Sequence, residues 1–197
     1  MTPDIRSTKK RILESALKLF SEKGYLGATT RAIAKDAGVA EVTLFRHFPS
    51  KENLLAEVLN SYSFLPELKN ILPEIYSIKY EEALLLIVRS FLNSLFLRKE
   101  MIKIMKSEIF THPERVTRFY QSFVDELYET LAIYFEDMQQ KGILRDFDPK
   151  LGGRALLGMI FSYFEVEEFI FQRLGNQENY EKTIREFIKI FAKGTLK

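Results

Sequence analysis

The side chains best suited to chemistry in this chain lie close together near its front. A short segment from Glu41 to Phe48 turns Leu44 and Phe48 to one side and Thr43, Arg46 and His47 to another. A hydroxyl, a guanidinium and an imidazole on one side of a short rod suit contact with phosphates and base edges. Other chemistries find little support. The two histidines, His47 and His112, have no helical partner at metal-ligand spacing, and the absence of cysteine removes thiolate ligands and disulfides. Neither a glycine-rich phosphate loop nor a nucleophile elbow occurs. Glu165, Glu167 and Glu168 read as a solvated acidic face. The chain is therefore expected not to be an enzyme and to carry no cofactor and no metal.

The segment from Thr29 to Lys51 consists of two short helices joined by Gly38-Val39-Ala40. A glycine there permits a tight turn, with helices crossing at roughly 90 to 120°. The second helix then projects from the body and can enter a major groove. Charge supports this placement. Residues 1 to 52 carry ten Lys and Arg against six Asp and Glu, a net of +4, whereas residues 53 to 197 carry 19 against 21, a net of −2.

Around this pair, Ser7 or Thr8 can cap a first helix with Ile12, Leu13, Ala16, Leu19 and Phe20 at helical spacing, and Gly24 is placed to end it. Thr29 or Thr30 caps the second, with Ile33, Ala34 and Ala37 inward. Pro49 breaks the third, and Ser50 caps a fourth running to Tyr62. Pro66 and Pro73 mark a loose junction between Ser63 and Tyr80. Beyond it helices follow one another: Ala83 to Leu97, Met101 to Phe110, one capped at Thr111 and running to about Lys141, Asp148-Pro149 to Leu174 with Gly175 closing, and about Glu178 to Lys193. The fold expected is all-α with about nine helices. A three-helix, homeodomain-like helix-turn-helix domain occupies 1–52, the fourth helix (51–62) is a connector, and a larger helical domain occupies 53–197.

The front of the chain resembles the tetracycline-repressor (TetR) family of regulators. The resemblance is carried by Leu19-Phe20-Ser21-Glu22-Lys23-Gly24-Tyr25, then Ala28-Thr29-Thr30-Arg31-Ala32-Ile33-Ala34-Lys35-Asp36-Ala37-Gly38-Val39, then Thr43-Leu44-Phe45-Arg46-His47-Phe48-Pro49-Ser50-Lys51-Glu52-Asn53-Leu54. It implies that Thr30 offers a phosphate-binding hydroxyl and that Arg31 reaches phosphate or a base edge. It places Glu41, Val42 and Arg46 toward bases and counts Ala40, just ahead of them, among the DNA-binding residues. Thr43, Phe45 and His47 match backbone-contacting positions, and Lys51 the family's lysine at the fourth helix, where ammonium charge and helix N-terminus both favour phosphate. Two residues depart from the pattern. Phe45 stands where the family usually has tyrosine, which removes a hydroxyl. Glu41 is acidic near phosphate, a cost unless it accepts from a cytosine amino group. Thr30 has a second reading as a helix cap alone.

The resemblance also implies that the C-terminal helices bind an inducer and pair two copies through the last two long helices. Phe161, Tyr163, Phe164, Val166, Phe169, Ile170 and Phe171 are spread around more than one helix face, which suits either burial of one side against something besides its own domain or a thick monomeric core. The expected dimer residues are Leu151, Ala155, Met159, Ser162, Val166, Phe169, Ile170, Ile184, Phe187, Ile188 and Phe191. Met101, Met105, Phe110, Phe119, Phe123, Tyr128, Phe161 and Phe164 are candidates for lining an apolar cavity or filling a core, with Arg89, Asn93 and Glu165 as polar anchors or surface residues.

At 46% hydrophobic and 28% charged residues the chain has the composition of a folded globular protein. The start Met1-Thr2-Pro3-Asp4-Ile5-Arg6 lacks a secretory pattern, and the apolar run 155–164 is far short of the roughly 20 residues a spanning helix needs. A cytoplasmic location with no membrane partner is expected. The function expected is a DNA-binding transcription regulator, a repressor acting as a homodimer on double-stranded operator DNA and released by a small apolar ligand. The alternatives are a helical protein-interaction module, or an activator without small-molecule induction.

Overall fold

The computed structural model describes residues 5–111, 113–172 and 177–197, with side chains from residue 8 onward except 104, 107–120 and 177–179. Among the described residues there are ten α-helices: α1 (Ile5–Gly27), α2 (Thr30–Asp36), α3 (Glu41–His47), α4 (Lys51–Tyr62), α5 (Leu65–Ile75), α6 (Tyr80–Leu97), α7 (Lys99–Thr111), α8 (Pro113–Gln140), α9 (Pro149–Phe164) and α10 (Gln177–Thr195). A π-helical segment, Glu165–Ile170, continues α9. The chain divides into two compact units, one made of residues 1–63 and 98–123, the other of 64–97 and 124–197.

In the first unit α1 is the element on which α2, α4 and α7 pack, and α3 packs on α2. The apolar residues of α1 that recur at helical spacing, Ile12, Leu13, Ala16, Leu19 and Phe20, are all buried and meet Ile33, Ala34, Leu44, Phe48, Leu54, Leu55, Val58 and Leu59. Gly24, with φ 72° and ψ 171°, breaks the helical path inside α1, as expected. The helix starts earlier than expected, however. It is already formed at Ile5, so neither Ser7 nor Thr8 caps it, and Thr8 is instead a small buried side chain, 7% exposed.

In the second unit α6 is central, packed against α5, α9 and α10. The stretch 63–80 is not loose. Leu65, Leu68 and Ile75 recur at helical spacing and are buried, which holds α5 together despite its two prolines. Pro66 lies in the first turn, where a missing N–H would have no partner anyway, and Pro73 removes a bond only near the end. Asp148 caps α9 by accepting from the Leu151 amide at 3.0 Å, as its Asp-Pro start predicts. The far end differs from the expected Leu174. The helix widens at Glu165, the Phe171 amide donates five residues back to the Val166 carbonyl, and Gln172 takes a left-handed φ of 54°. Leu174 and Gly175 lie outside the described residues, as does His112, and the side chains of Thr111 and Glu114 are likewise not described.

Burial sets the chemistry of this core. The Tyr80 hydroxyl shares a hydrogen bond of 2.9 Å with Thr195 Oγ1, and burial pushes its pKa up to about 12. Tyr134 is fully buried, stacked edge-on to Tyr76, and burial raises its pKa as well. Among the described residues no helix is long and apolar enough to cross a membrane.

One glycine is dictated by packing. A Cβ on Gly152 of α9 would lie 2.5 Å from Phe147 Cε2 and 3.5 Å from Phe135 Cδ2, and the Phe147 and Phe135 rings already touch at a centroid distance of 5.9 Å. Gly152→Ala should therefore cost on the order of 1–3 kcal/mol by overpacking, read from the midpoint of chemical denaturation. An unchanged midpoint would show that the Phe147 ring swings aside freely.

Candidate nucleic-acid interface

The turn between α2 and α3 is over-determined. Thr29 is the N-cap of α2, its hydroxyl accepting from the Ala32 amide at 3.1 Å, which settles the choice between the two threonines and leaves Thr30 in the first turn. At the other end Gly38, with φ 65°, occupies the left-handed region. The Val39 amide donates to Ala34 O at 3.0 Å and the Gly38 amide to Lys35 O at 3.1 Å, so the last carbonyls of α2 are satisfied by the turn itself. Arg11, reaching from α1, donates through Nε to Ala37 O at 3.1 Å and through Nη2 to Gly38 O at 3.2 Å. Lys18 and Asp36 tie α1 to α2 a second time at 2.7 Å. That bond raises the pKa of the Lys18 ammonium and lowers that of the Asp36 carboxyl.

This turn delivers α3 with one face down. Leu44 is 0% exposed and Phe48, just past its end, 3%. The opposite face holds Val42 at 75% and Phe45 at 42%, both unusually open for large apolar side chains, and Arg46 is exposed beside them. Ala40 is exposed ahead of the helix, while Thr43 and His47 are half-buried along its flanks. The His47 Nε2 is enclosed and has no hydrogen-bond partner among the described residues. A contact from this ring to phosphate would thus go through Nδ1.

Around α3 the other expected residues gather. Arg31 is exposed on α2. Thr30 donates to Glu41 Oε1 at 2.7 Å, bringing the first turns of α2 and α3 together. Lys51, at the start of α4, has its Nζ 4.5 Å from the centre of the Tyr25 ring and donates to Leu26 O at 3.4 Å. Its ammonium is thereby held at the turn just ahead of α2. The Tyr25 hydroxyl in turn donates to Glu52 Oε1 at 2.8 Å.

The residues expected at an effector site and a dimer interface are distributed differently. Met101 and Met105 of α7 are buried in the core of the first unit with α1 and α4. Phe123 is half-buried in that unit, and the side chains of Phe110 and Phe119 lie outside the described ones. In the second unit Phe164 is fully buried, Tyr128, Phe161 and Glu165 are half-buried, Asn93 is exposed, and Arg89 pairs with Glu181. On α9 Leu151, Ala155 and Ser162 are exposed and Met159 half-buried; in the π-helical segment Val166 and Phe169 are half-buried and Ile170 is exposed. Phe187 and Phe191 are half-buried on α10, but Ile184 and Ile188 are 0% and 5% exposed, spent on their own core, and so have little surface for a second copy.

Two residues that shape the interface are given no role by the sequence. Arg11 reads in sequence as one of several basic residues on an amphipathic helix; only the fold shows that it caps the turn. Tyr25 sits inside the family-like stretch, yet its role as the platform under Lys51 and donor to Glu52 depends on a contact 27 residues away. The Tyr25 hydroxyl, with the Glu52 amide and Ser50 assisting, holds the Glu52 carboxyl below its ordinary range. A carboxyl lowered in this way adds stability above its unfolded titration range and gives it up as pH falls through the folded one. Tyr25→Phe should move the Glu52 titration upward in a carboxyl NMR titration, and an unmoved curve would remove the hydroxyl from the account.

Comparison with known proteins identifies this arrangement. Residues 12–58 match the family described as bacterial regulatory proteins, tetR family, and residues 82–193 match the C-terminal domain of AefR-like transcriptional repressors. The uncharacterised HTH-type transcriptional regulator YvkB of Bacillus subtilis is 31% identical over 196 residues, spanning 96% of this chain and 98% of its own length. The HTH-type transcriptional repressor KstR of Mycolicibacterium smegmatis is 46% identical over 54 residues, which are 27% of this chain and 26% of KstR. A crystal structure of a TetR-family regulator from Mesorhizobium loti, described there as putative, shares the fold with a TM-score of 0.76 at 20% identity, covering 100% of both chains. With helix-turn-helix and C-terminal region both matched, the chain belongs to the TetR family and is a DNA-binding transcription regulator, not an enzyme.

Proposed function

We propose that the protein is a cytoplasmic homodimeric repressor whose two α3 helices enter successive major grooves of a near-palindromic operator, and that a small apolar effector releases it. The observation that carries the DNA part is the outer face of α3, where Val42, Phe45 and Arg46 stand open while Leu44 and Phe48 are buried beneath. Arg31, Thr43, His47 and Lys51 around that face supply donors for phosphate. Repression is favoured by the match of residues 82–193 to a repressor C-terminal domain.

Pairing is supported by the outer side of α9. Leu151, Ala155, Gly158, Met159 and Ser162 follow one another at helical spacing, with four of the five exposed. Gly158 costs a helix about 1 kcal/mol relative to alanine, yet a Cβ there would meet nothing within 4 Å in its own protomer. A close neighbour from a second copy gives that glycine a purpose. For the effector, the half-buried Tyr128, Phe161 and Glu165 retain surface that an apolar molecule with one polar end can cover. A fatty acyl compound, a drug or an aromatic metabolite has suitable chemistry. Release requires the effector to bind more tightly to a dimer with wrongly spaced reading heads than to the DNA-competent one.

Two measurements test this. In a gel shift on the DNA upstream of its own gene, affinity should fall steeply with salt, since phosphate contacts release counterions. Arg46→Ala with Lys51→Ala should flatten that slope by roughly one unit per lost phosphate contact; unchanged specific binding would discard the interface. For pairing, Gly158→Arg should leave a folded protomer that sediments as a monomer at micromolar concentration. A variant still dimeric would move the interface elsewhere.

A further inference from the structure

The bond between Thr30 and Glu41 gives the reading helix a feature that a basic DNA-binding surface does not call for. Thr30 Oγ1 donates to Glu41 Oε1 at 2.7 Å, both residues are half-buried, and they lie 11 positions apart at the starts of α2 and α3. A carboxylate facing a polyanion is repelled by it. Here it is retained and oriented, on the edge of the face that exposes Val42 and Arg46. The hydroxyl that a phosphate would otherwise use is committed to this acid, and its proton points at Glu41.

Resting on the proposed operator reading, we infer that Glu41 is a specificity-determining residue that selects cytosine in each half-site, with Thr30 as the positioning residue that aims it. An ionised carboxylate only accepts hydrogen bonds. In the major groove guanine presents the acceptors N7 and O6, thymine the acceptor O4, and adenine an N7 acceptor beside its amino group. Each of these sets a lone pair against the carboxylate. Cytosine presents an N4 amino donor without an adjacent acceptor, so it is the base that rewards an acid. With Oε1 held by Thr30, Oε2 accepts a hydrogen bond from the amino group, and the side chain does not have to be ordered at the moment of binding. The same repulsion acts against phosphate, so a register that brings Glu41 over the backbone is penalised. Selection therefore works both by attraction to one base and by exclusion of misplaced dimers.

The experiment selects binding sites from a random duplex pool with the full-length protein, then measures all single-base variants of the selected site against the wild type and four variants. Recovery of no preferred site by the wild type would overturn the operator reading itself, a result distinct from the outcomes below. With a site in hand, the wild type should show one position per half-site where cytosine is preferred by on the order of tenfold or more. Glu41→Ala should level that position alone, lowering affinity for the selected site by on the order of tenfold and leaving the preferences at the other positions as they were. Glu41→Gln should turn the preference toward adenine, whose N6 and N7 suit a carboxamide. Thr30→Val should weaken the cytosine preference while Thr30→Ser keeps it, a split that a merely structural threonine would not produce. The same base preferences in wild type and both Glu41 variants would overturn the inference. So would loss of all binding by Glu41→Ala with helical content intact by circular dichroism, since the acid would then be holding α3 in place rather than reading.

Discussion

The burial of Leu44 and Phe48 is the constraint that the rest depends on. A helix of seven residues has no stability of its own in water, and α3 is held by what its inner face covers. Leu44 at 0% exposure contributes about 2–3 kcal/mol through removal from water alone. Because the helix period is 3.6, sinking these two positions determines which residues rise on the other side. The open face is thus a consequence of the core beneath it, and α1, α2 and α4 matter to DNA recognition through that core.

Pre-organisation extends outward from there. Arg11 and the left-handed Gly38 hold the angle at which α3 leaves α2, so little entropy remains to be lost when a groove is entered. Tyr25 does the same for Lys51, and Thr30 for Glu41. In each case a side chain that would otherwise sample many rotamers is tethered by a neighbour with no need to touch DNA. On the proposed mechanism, rigidity within the reader is also what lets an effector act at a distance. If α3 were loose on its base, a change in the spacing of two readers would be absorbed locally and not felt at the operator.

The helix-turn-helix was legible in the sequence, and much of the remainder was not, for physical reasons. Short helices closed by Gly38 and Pro49, with Ser50 opening the next, announce themselves because caps and breakers act through the local backbone. The side chains that tether, Arg11 and Tyr25, act across 26 or 27 residues and leave no local trace. Prolines were the misleading signal in α5, where one sat at the start and the other close to the end, and the apolar spacing between them prevailed. The same limit explains the C-terminal region. Aromatic and methionine residues look alike whether they fill a core or line a cavity, and Met101 and Met105 turn out to belong to the core of the first unit. For Ile184 and Ile188, periodicity marked an apolar face but could not say that the protomer itself would cover it.

The central claim is that α3 reads base edges in the major groove twice per operator. Methylation interference at guanine N7, an atom that faces the major groove, tests it most directly. The account predicts two clusters of interfering guanines about one helical turn, or a whole number of turns, apart on one face of the duplex. Binding indifferent to N7 methylation, or interference confined to a single cluster, would contradict it.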